Sequence, residues 1–135
     1  MTTSTWSTND IPDQSGRTAI VTGANSGIGR AAATALAERG ARVILAVRNV
    51  EKGASAAAGM PGTVEVRPLD LADLASVRAF AEGWEGDIDL LINNAGVSGP
   101  SLDRTADGFE MKFGTNHLGY FALTNCSLNT SPGGW

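Results

Sequence analysis

Residues 22–29, Thr-Gly-Ala-Asn-Ser-Gly-Ile-Gly, have the composition of a turn that grips an anion. Glycine reaches backbone conformations closed to other residues and lets N–H groups come close to a ligand. A helix beginning at Gly27 would add its free first-turn N–H groups and its dipole to the pull on negative charge. Gly23, Asn25, Ser26, Gly27, Ile28 and Gly29 are therefore candidate phosphate-binding positions. A second group, Asn93-Asn94-Ala95-Gly96, places polar and small residues directly after an apolar run. Open α/β sheets bind ligands at such places, outside the carboxyl ends of their strands. Arg48 and Asn49 follow another apolar run. A guanidinium there would suit a phosphate, because its planar fork pairs two oxygens at once.

These groups need elements to hold them. Residues 17–22 read as a short buried strand stopped by Gly23. From Gly27 the period changes. Ile28, Ala32, Ala35 and Leu36 fall on one helical stripe, and Gly40 stands where a helix would end. Residues 42–47 read as a second strand, 50–59 as an Ala-rich helix and 63–69 as a third strand. Leu74, Val77, Phe80, Ala81 and Trp84 mark one face of an amphipathic helix, and 87–92 give a fourth strand. Thr105 is placed to cap a helix reaching about Thr124, with Phe109, Phe113 and Tyr120 as core candidates. The alternation predicts an α/β fold, a doubly wound parallel sheet with right-handed crossovers. Residues 1–16 read as a flexible leader, 17–125 as the domain, and 126–135 as an irregular, poorly ordered tail.

The bulk composition narrows the function classes. A chain of 135 residues suits one domain, and one of this size can bury roughly two-thirds of its unfolded surface. The net charge is −4 and no run of Lys or Arg occurs, which excludes a nucleic-acid backbone as the expected partner. One cysteine, Cys126, can form no internal disulfide, and no Cys/His cluster has metal-ligand spacing. The start of the chain lacks the basic, then apolar, pattern of a signal peptide, and no apolar stretch nears the ~20 residues that span a bilayer. The expectation is a cytoplasmic protein with no membrane partner.

The glycine turn at 22–29, the Asp70-Leu71 pair, Asn-Asn-Ala-Gly at 93–96 and Asn116 within Phe-Gly-Thr-Asn-His-Leu-Gly-Tyr together resemble the short-chain dehydrogenase/reductase family. The resemblance covers residues 17–125 and looks most like the branch that includes retinol dehydrogenases. It implies a Rossmann-like sheet, incomplete at about four strands. It implies that Gly23, Gly27, Ile28 and Gly29 frame a pyrophosphate and that Asp70 and Leu71 meet an adenine. Asn94, Ala95 and Gly96 would brace the central strand and border the cofactor. Asn116 would hold a helix kink and a proton-relay water, the one catalytic role that carries over. The helix around 105–124 would offer a surface for homo-oligomer formation.

The cofactor follows from the end of the second strand. An acidic residue there would accept hydrogen bonds from the ribose of NAD and repel a 2′-phosphate. This chain has Val47 followed by Arg48 and Asn49, so NADP is expected over NAD. The implied reaction is alcohol oxidation or carbonyl reduction on a small molecule by hydride transfer. Family chemistry also uses a Ser and a Tyr-x-x-x-Lys pair, in which an ammonium lowers the tyrosine pKa. Here the one tyrosine, Tyr120, is followed four residues on by Thr124, and the lysines are Lys52 and Lys112. The chain therefore reads as a C-terminally truncated or frame-shifted fragment, inactive by itself. The alternative is a module that binds a nucleotide or associates with another subunit without chemistry. With a sheet edge left open, marginal stability is expected.

Overall fold

The computed structural model describes residues 4–100 and 102–128. Four parallel strands form one sheet: β1 (Thr18–Thr22), β2 (Arg42–Val47), β3 (Val64–Pro68) and β4 (Leu90–Ile92). Their spatial order is β3-β2-β1-β4. Ile20 is paired with Ile44 on one side and Leu91 on the other, so β1 is central. The helices α1 (Gly27–Glu38), α2 (Val50–Ala58) and α3 (Leu74–Glu82) form the successive crossovers. After β3 the chain returns past β1 to lay down β4, so the order of strands reverses between β1 and β4.

Strand side chains alternate, and the two sheet faces carry separate cores. Ile20, Ile44 and Ala46 pack with Val77, Phe80, Trp84 and Leu123 on one face. Val21, Val43, Leu45 and Val47 pack with Ala33, Ala37 and Ala56 on the other. The first face holds the large side chains. Trp84 is buried, its indole N–H donates to the Gly86 carbonyl at 2.9 Å, and Arg42 and Arg67 lie over its ring. The second face is built from alanines, which let α1 lie close to the strands.

That choice corrects the stripe expected on α1 in part. Ala35 is buried and Leu36 packs against this core, as expected, but Ile28 is 83% exposed and the other buried positions are Gly29, Ala33 and Ala37. The helix is turned so that its smallest residues meet the sheet. Strand β4 is shorter than expected, and its residues are only half-buried because it is hydrogen-bonded to β1 alone among the described residues. The opposite edge, β3, carries Glu65 and Arg67, charges that discourage further pairing.

Two expectations about the ends also change. The leader is tied down: Ser7 and Asp10 form a reciprocal capping box around a short turn, and the Arg39 guanidinium reaches the Thr8 and Asn9 carbonyls. Gln14 is buried, with its N–H on the Arg39 carbonyl at 2.7 Å. At the other end α5 (Gly119–Leu128) runs through Cys126 and Ser127, so those residues are helical and not irregular. The remainder of the expected tail, 129–135, lies outside the described residues.

The helix expected from Thr105 begins later. Thr105 closes a local turn, with its Oγ1 accepting from Phe109 N at 3.2 Å. Glu110 is the true cap, accepting from the N–H groups of Lys112 and Phe113 at the start of α4 (Met111–Phe113). A π-helical turn, Gly114–Leu118, joins α4 to α5. Phe109 and Phe113 are exposed rather than core residues, and Tyr120 is half-buried.

Candidate active site

The reversal between β1 and β4 leaves a crevice at the carboxyl ends of the strands, an open cleft of about 450 Å³. That volume lies in the usual range for small-molecule sites. The glycine turn forms one wall. Gly23 has a φ of +62° and a Cβ there would stand 2.8 Å from Ala95, so no other residue fits without displacement. Gly27 has a φ of +58°, yet a Cβ there would meet nothing within 4 Å. The conformation at Gly27 is therefore needed for the path of the backbone, and the space beside it is free for a ligand.

The start of α1 differs from the other crossover helices. Asn49 caps α2 by accepting from Lys52 N at 3.0 Å, and Asp73 caps α3 by accepting from Ala75 N at 2.9 Å. Ser26, at the same position on α1, makes no side-chain cap bond. The first-turn donors of α1 are thus available to an external acceptor at the positive end of the helix dipole.

Gly23, Asn25, Ser26, Arg48, Asn49, Asp70, Leu71, Asn94, Ala95 and Gly96 all line this one cleft. Gly27 and Ile28 are exposed residues of the same turn, and Gly29 is buried beneath it. Asn49 also caps α2, its side-chain oxygen accepting from Lys52 N. Asp70 likewise turns one oxygen to Ala72 N at 2.9 Å. Arg48 is exposed and its guanidinium has no ion pair or hydrogen bond among the described residues.

Asn94 and Asn116 act as braces. Asn94 Nδ2 donates to the carbonyls of Thr22 and Gly23 at 3.1 and 3.3 Å. Asn116 lies in the π turn and pairs with the backbone of Val97 at both ends. Its Oδ1 accepts from Val97 N and its Nδ2 donates to Val97 O, each at 2.8 Å. The kink expected at Asn116 is present as a π turn, and its side chain fastens the loop that follows β4. His117 sits on the exposed surface, stacked on Phe113 at 5.2 Å between ring centroids.

Sequence reasoning missed two participants. Lys52 lines the cleft as a second cation, and with Arg30 it also lines a shallower groove between α1 and α2. Its signal was available: it follows Asn49 by three residues, one turn into the helix after the second strand. Tyr120 is the other. Its hydroxyl meets Thr22 Oγ1 at 2.9 Å and donates to the Ala95 carbonyl. Burial raises its pKa while the Thr22 bond works the other way, so the phenol stays protonated at neutral pH. No local pattern announces a contact between residues so far apart in the chain.

A parallel sheet wound both ways, with a glycine turn over its switch point, defines a Rossmann-like domain. The model of the short chain dehydrogenase family matches residues 17–131, and the chain belongs to that family. Its members are oxidoreductases that bind NAD(P). The chain is 54% identical over 121 residues to retinol dehydrogenase 11 of Mus musculus, covering 84% of this chain and 38% of that protein. It is 51% identical over 122 residues to retinol dehydrogenase 13 of Homo sapiens, covering 84% of this chain and 37% of that one. It thus spans well under half the length of these relatives. Among solved structures, an uncharacterised protein from Mycobacterium paratuberculosis superposes with a TM-score of 0.89 at 54% identity, covering 93% of this chain and 47% of that one. A metagenomic short-chain oxidoreductase in complex with NADP gives a TM-score of 0.73 at 35% identity, covering 87% and 57%.

Proposed function

We propose that this chain is the nucleotide-binding part of an NADP-linked oxidoreductase that interconverts alcohols and carbonyl compounds. The observation that carries the reading is the uncapped start of α1 beside the open Gly27, facing a cleft that also holds Arg48 and Lys52. The glycine turn offers backbone donors for a pyrophosphate. Arg48 and Lys52, which line the same cleft, are two cations for a 2′-phosphate, Lys52 beside Asn25 and Ser26 of that turn, and neither has an ion-pair partner among the described residues. In this reading Asp70 and Leu71 take the adenine and Ala95 and Gly96 border the nicotinamide; all four line the cleft. NADP, when bound, gives or takes the hydride. The residues of this chain bind and orient it. They include no Tyr-x-x-x-Lys pair, so the 135-residue chain binds the dinucleotide without turnover. The reading includes a cytoplasmic setting, which cell fractionation checks.

Titrating the chain against NADPH and NADH by nicotinamide fluorescence tests this. Saturable binding with NADPH favoured is expected. Folded protein that leaves the fluorescence of both unchanged at millimolar concentration would overturn it.

A second reading has its own observation. Phe113 and Phe121 are 54% and 64% exposed, about two turns apart along the helix that α4, the π turn and α5 form, an apolar display for a surface helix. Self-association through this face is the corresponding proposal. Sedimentation of F113S/F121S against the parent chain tests it, with loss of a dimer expected.

A further inference from the structure

We propose that Tyr120 is a positioning residue for the nicotinamide end of the cofactor, holding the Asn94–Gly96 wall of the cleft through Thr22. The proposal rests on the dinucleotide reading above. It adds a function for a side chain that lines no part of the cleft itself.

The protons around Thr22 can be counted. Thr22 Oγ1 accepts from two backbone donors, Asn94 N at 2.9 Å and Ala95 N at 3.1 Å. A hydroxyl has two acceptor sites and one proton. With both acceptor sites filled, Thr22 has one proton left to give, and two acceptors face it: the Ile92 carbonyl at 3.3 Å and, closer, Tyr120 Oη at 2.9 Å. The Tyr120 proton goes to the Ala95 carbonyl. Because Tyr120 spends its proton on the Ala95 carbonyl, the Thr22–Tyr120 contact needs the Thr22 proton, which the Ile92 carbonyl shares: Ala95 gives its N–H to Thr22, Thr22 gives to Tyr120, and Tyr120 gives back to the Ala95 carbonyl. Each bond polarises the next, and Thr22 is fully buried, so no water competes at that point.

The location gives this ring its consequence. Ala95 and Gly96 form the wall at the β4 side of the switch point. A dinucleotide laid across that point has its adenosine over β2 and β3 and its nicotinamide toward β4. The next residue but one, Val97, is held by Asn116 at 2.8 Å through both its N–H and its carbonyl. The wall is therefore pinned at two places from the same helix, by Tyr120 on α5 and by Asn116 in the π turn. Tyr120 also packs its ring against the core of Ile20, Leu71 and Leu123, so phenylalanine would keep the packing and remove only the hydroxyl.

The test compares Tyr120→Phe with the parent 135-residue chain. NADPH affinity is expected to fall about three- to tenfold, the scale of one lost hydrogen bond. Affinity for adenosine-2′,5′-bisphosphate, which reaches only the adenosine end, is expected to stay constant. Amide exchange at Asn94 and Ala95 is expected to quicken without ligand. Thr22→Val should weaken NADPH similarly, and the double variant should be no weaker than the worse single one. Equal loss of affinity for both ligands would overturn the proposal in favour of general loosening. Unchanged NADPH affinity and exchange would overturn it while leaving the dinucleotide reading intact. A parent chain that binds neither ligand would remove that reading and this proposal together.

Discussion

Gly29 and Asn94 occupy each other's space: a Cβ on Gly29 would lie 2.3 Å from Asn94 Nδ2 and 2.8 Å from the Gly23 carbonyl. The absence of a side chain at Gly29 lets α1 lie against the end of β4, and Asn94 uses that proximity to bond the glycine turn. Gly29→Ala should therefore cost about 1–3 kcal/mol through overpacking, read as a lower denaturant midpoint. Combining it with Asn94→Ala should cost less than the sum of the two, because the second change removes the clashing amide.

Arg48 and Lys52 predict a change of cofactor preference. Arg48→Asp replaces a phosphate partner with a carboxylate that repels the 2′-phosphate and can accept from a free ribose hydroxyl. The ratio of NADPH to NADH affinity should fall by about tenfold or more, since each tenfold is only ~1.4 kcal/mol. Lys52→Gln should lower the same ratio by a smaller factor. Fluorescence titration measures both, and a ratio unmoved by either variant would remove the assignment of these two cations.

The glycine turn and the two central strands were legible because their signals are local. Val43 to Val47 forms an unbroken apolar run, and that is what a strand buried on both faces requires. On α1 the stripe holds at Ala35 and Leu36 and fails at Ile28, which is the most apolar residue near the helix start, whereas proximity to the sheet rewards small residues such as Ala33 and Ala37. Thr105 and Glu110 both make capping-type bonds, and only the three-dimensional path shows which one starts the helix. Most of the candidate cleft was readable for the same local reason, from three short motifs at strand ends. Tyr120 was not, since its partners Thr22 and Ala95 come from distant parts of the chain.

Leu123 is fully buried and packs α5 onto the core of α3 and β1. Leu123→Ala should destabilise the fold by about 2–5 kcal/mol, the usual range for such a truncation in a core. Thermal or urea unfolding followed by circular dichroism gives the number. A cost under ~1 kcal/mol would mean that α5 is not held by this side chain.

Glu65 links stability to acidity. The Arg42 guanidinium, bonded to it at 2.9 and 3.0 Å, holds its carboxyl below the ordinary 4.5. A group with a lower pKa folded than unfolded contributes fully above the unfolded value and loses that contribution as pH falls through the folded one. The stability gap between the parent chain and Glu65→Gln should therefore be constant near neutral pH and close progressively below about pH 4.5. The pair is partly exposed, so the gap is small and shrinks with added salt. Urea midpoints across that pH range measure it.

The half-buried strand β4 has a consequence for handling the polypeptide. Its outward N–H and carbonyl groups have no ladder partner among the described residues, and its side chains are Leu90, Leu91 and Ile92. Any extended segment, from this polypeptide or another, finds a ready template there. Aggregation at high concentration should therefore start from these three residues at one seam. A short β-strand peptide supplied in trans would act on that seam as a plug.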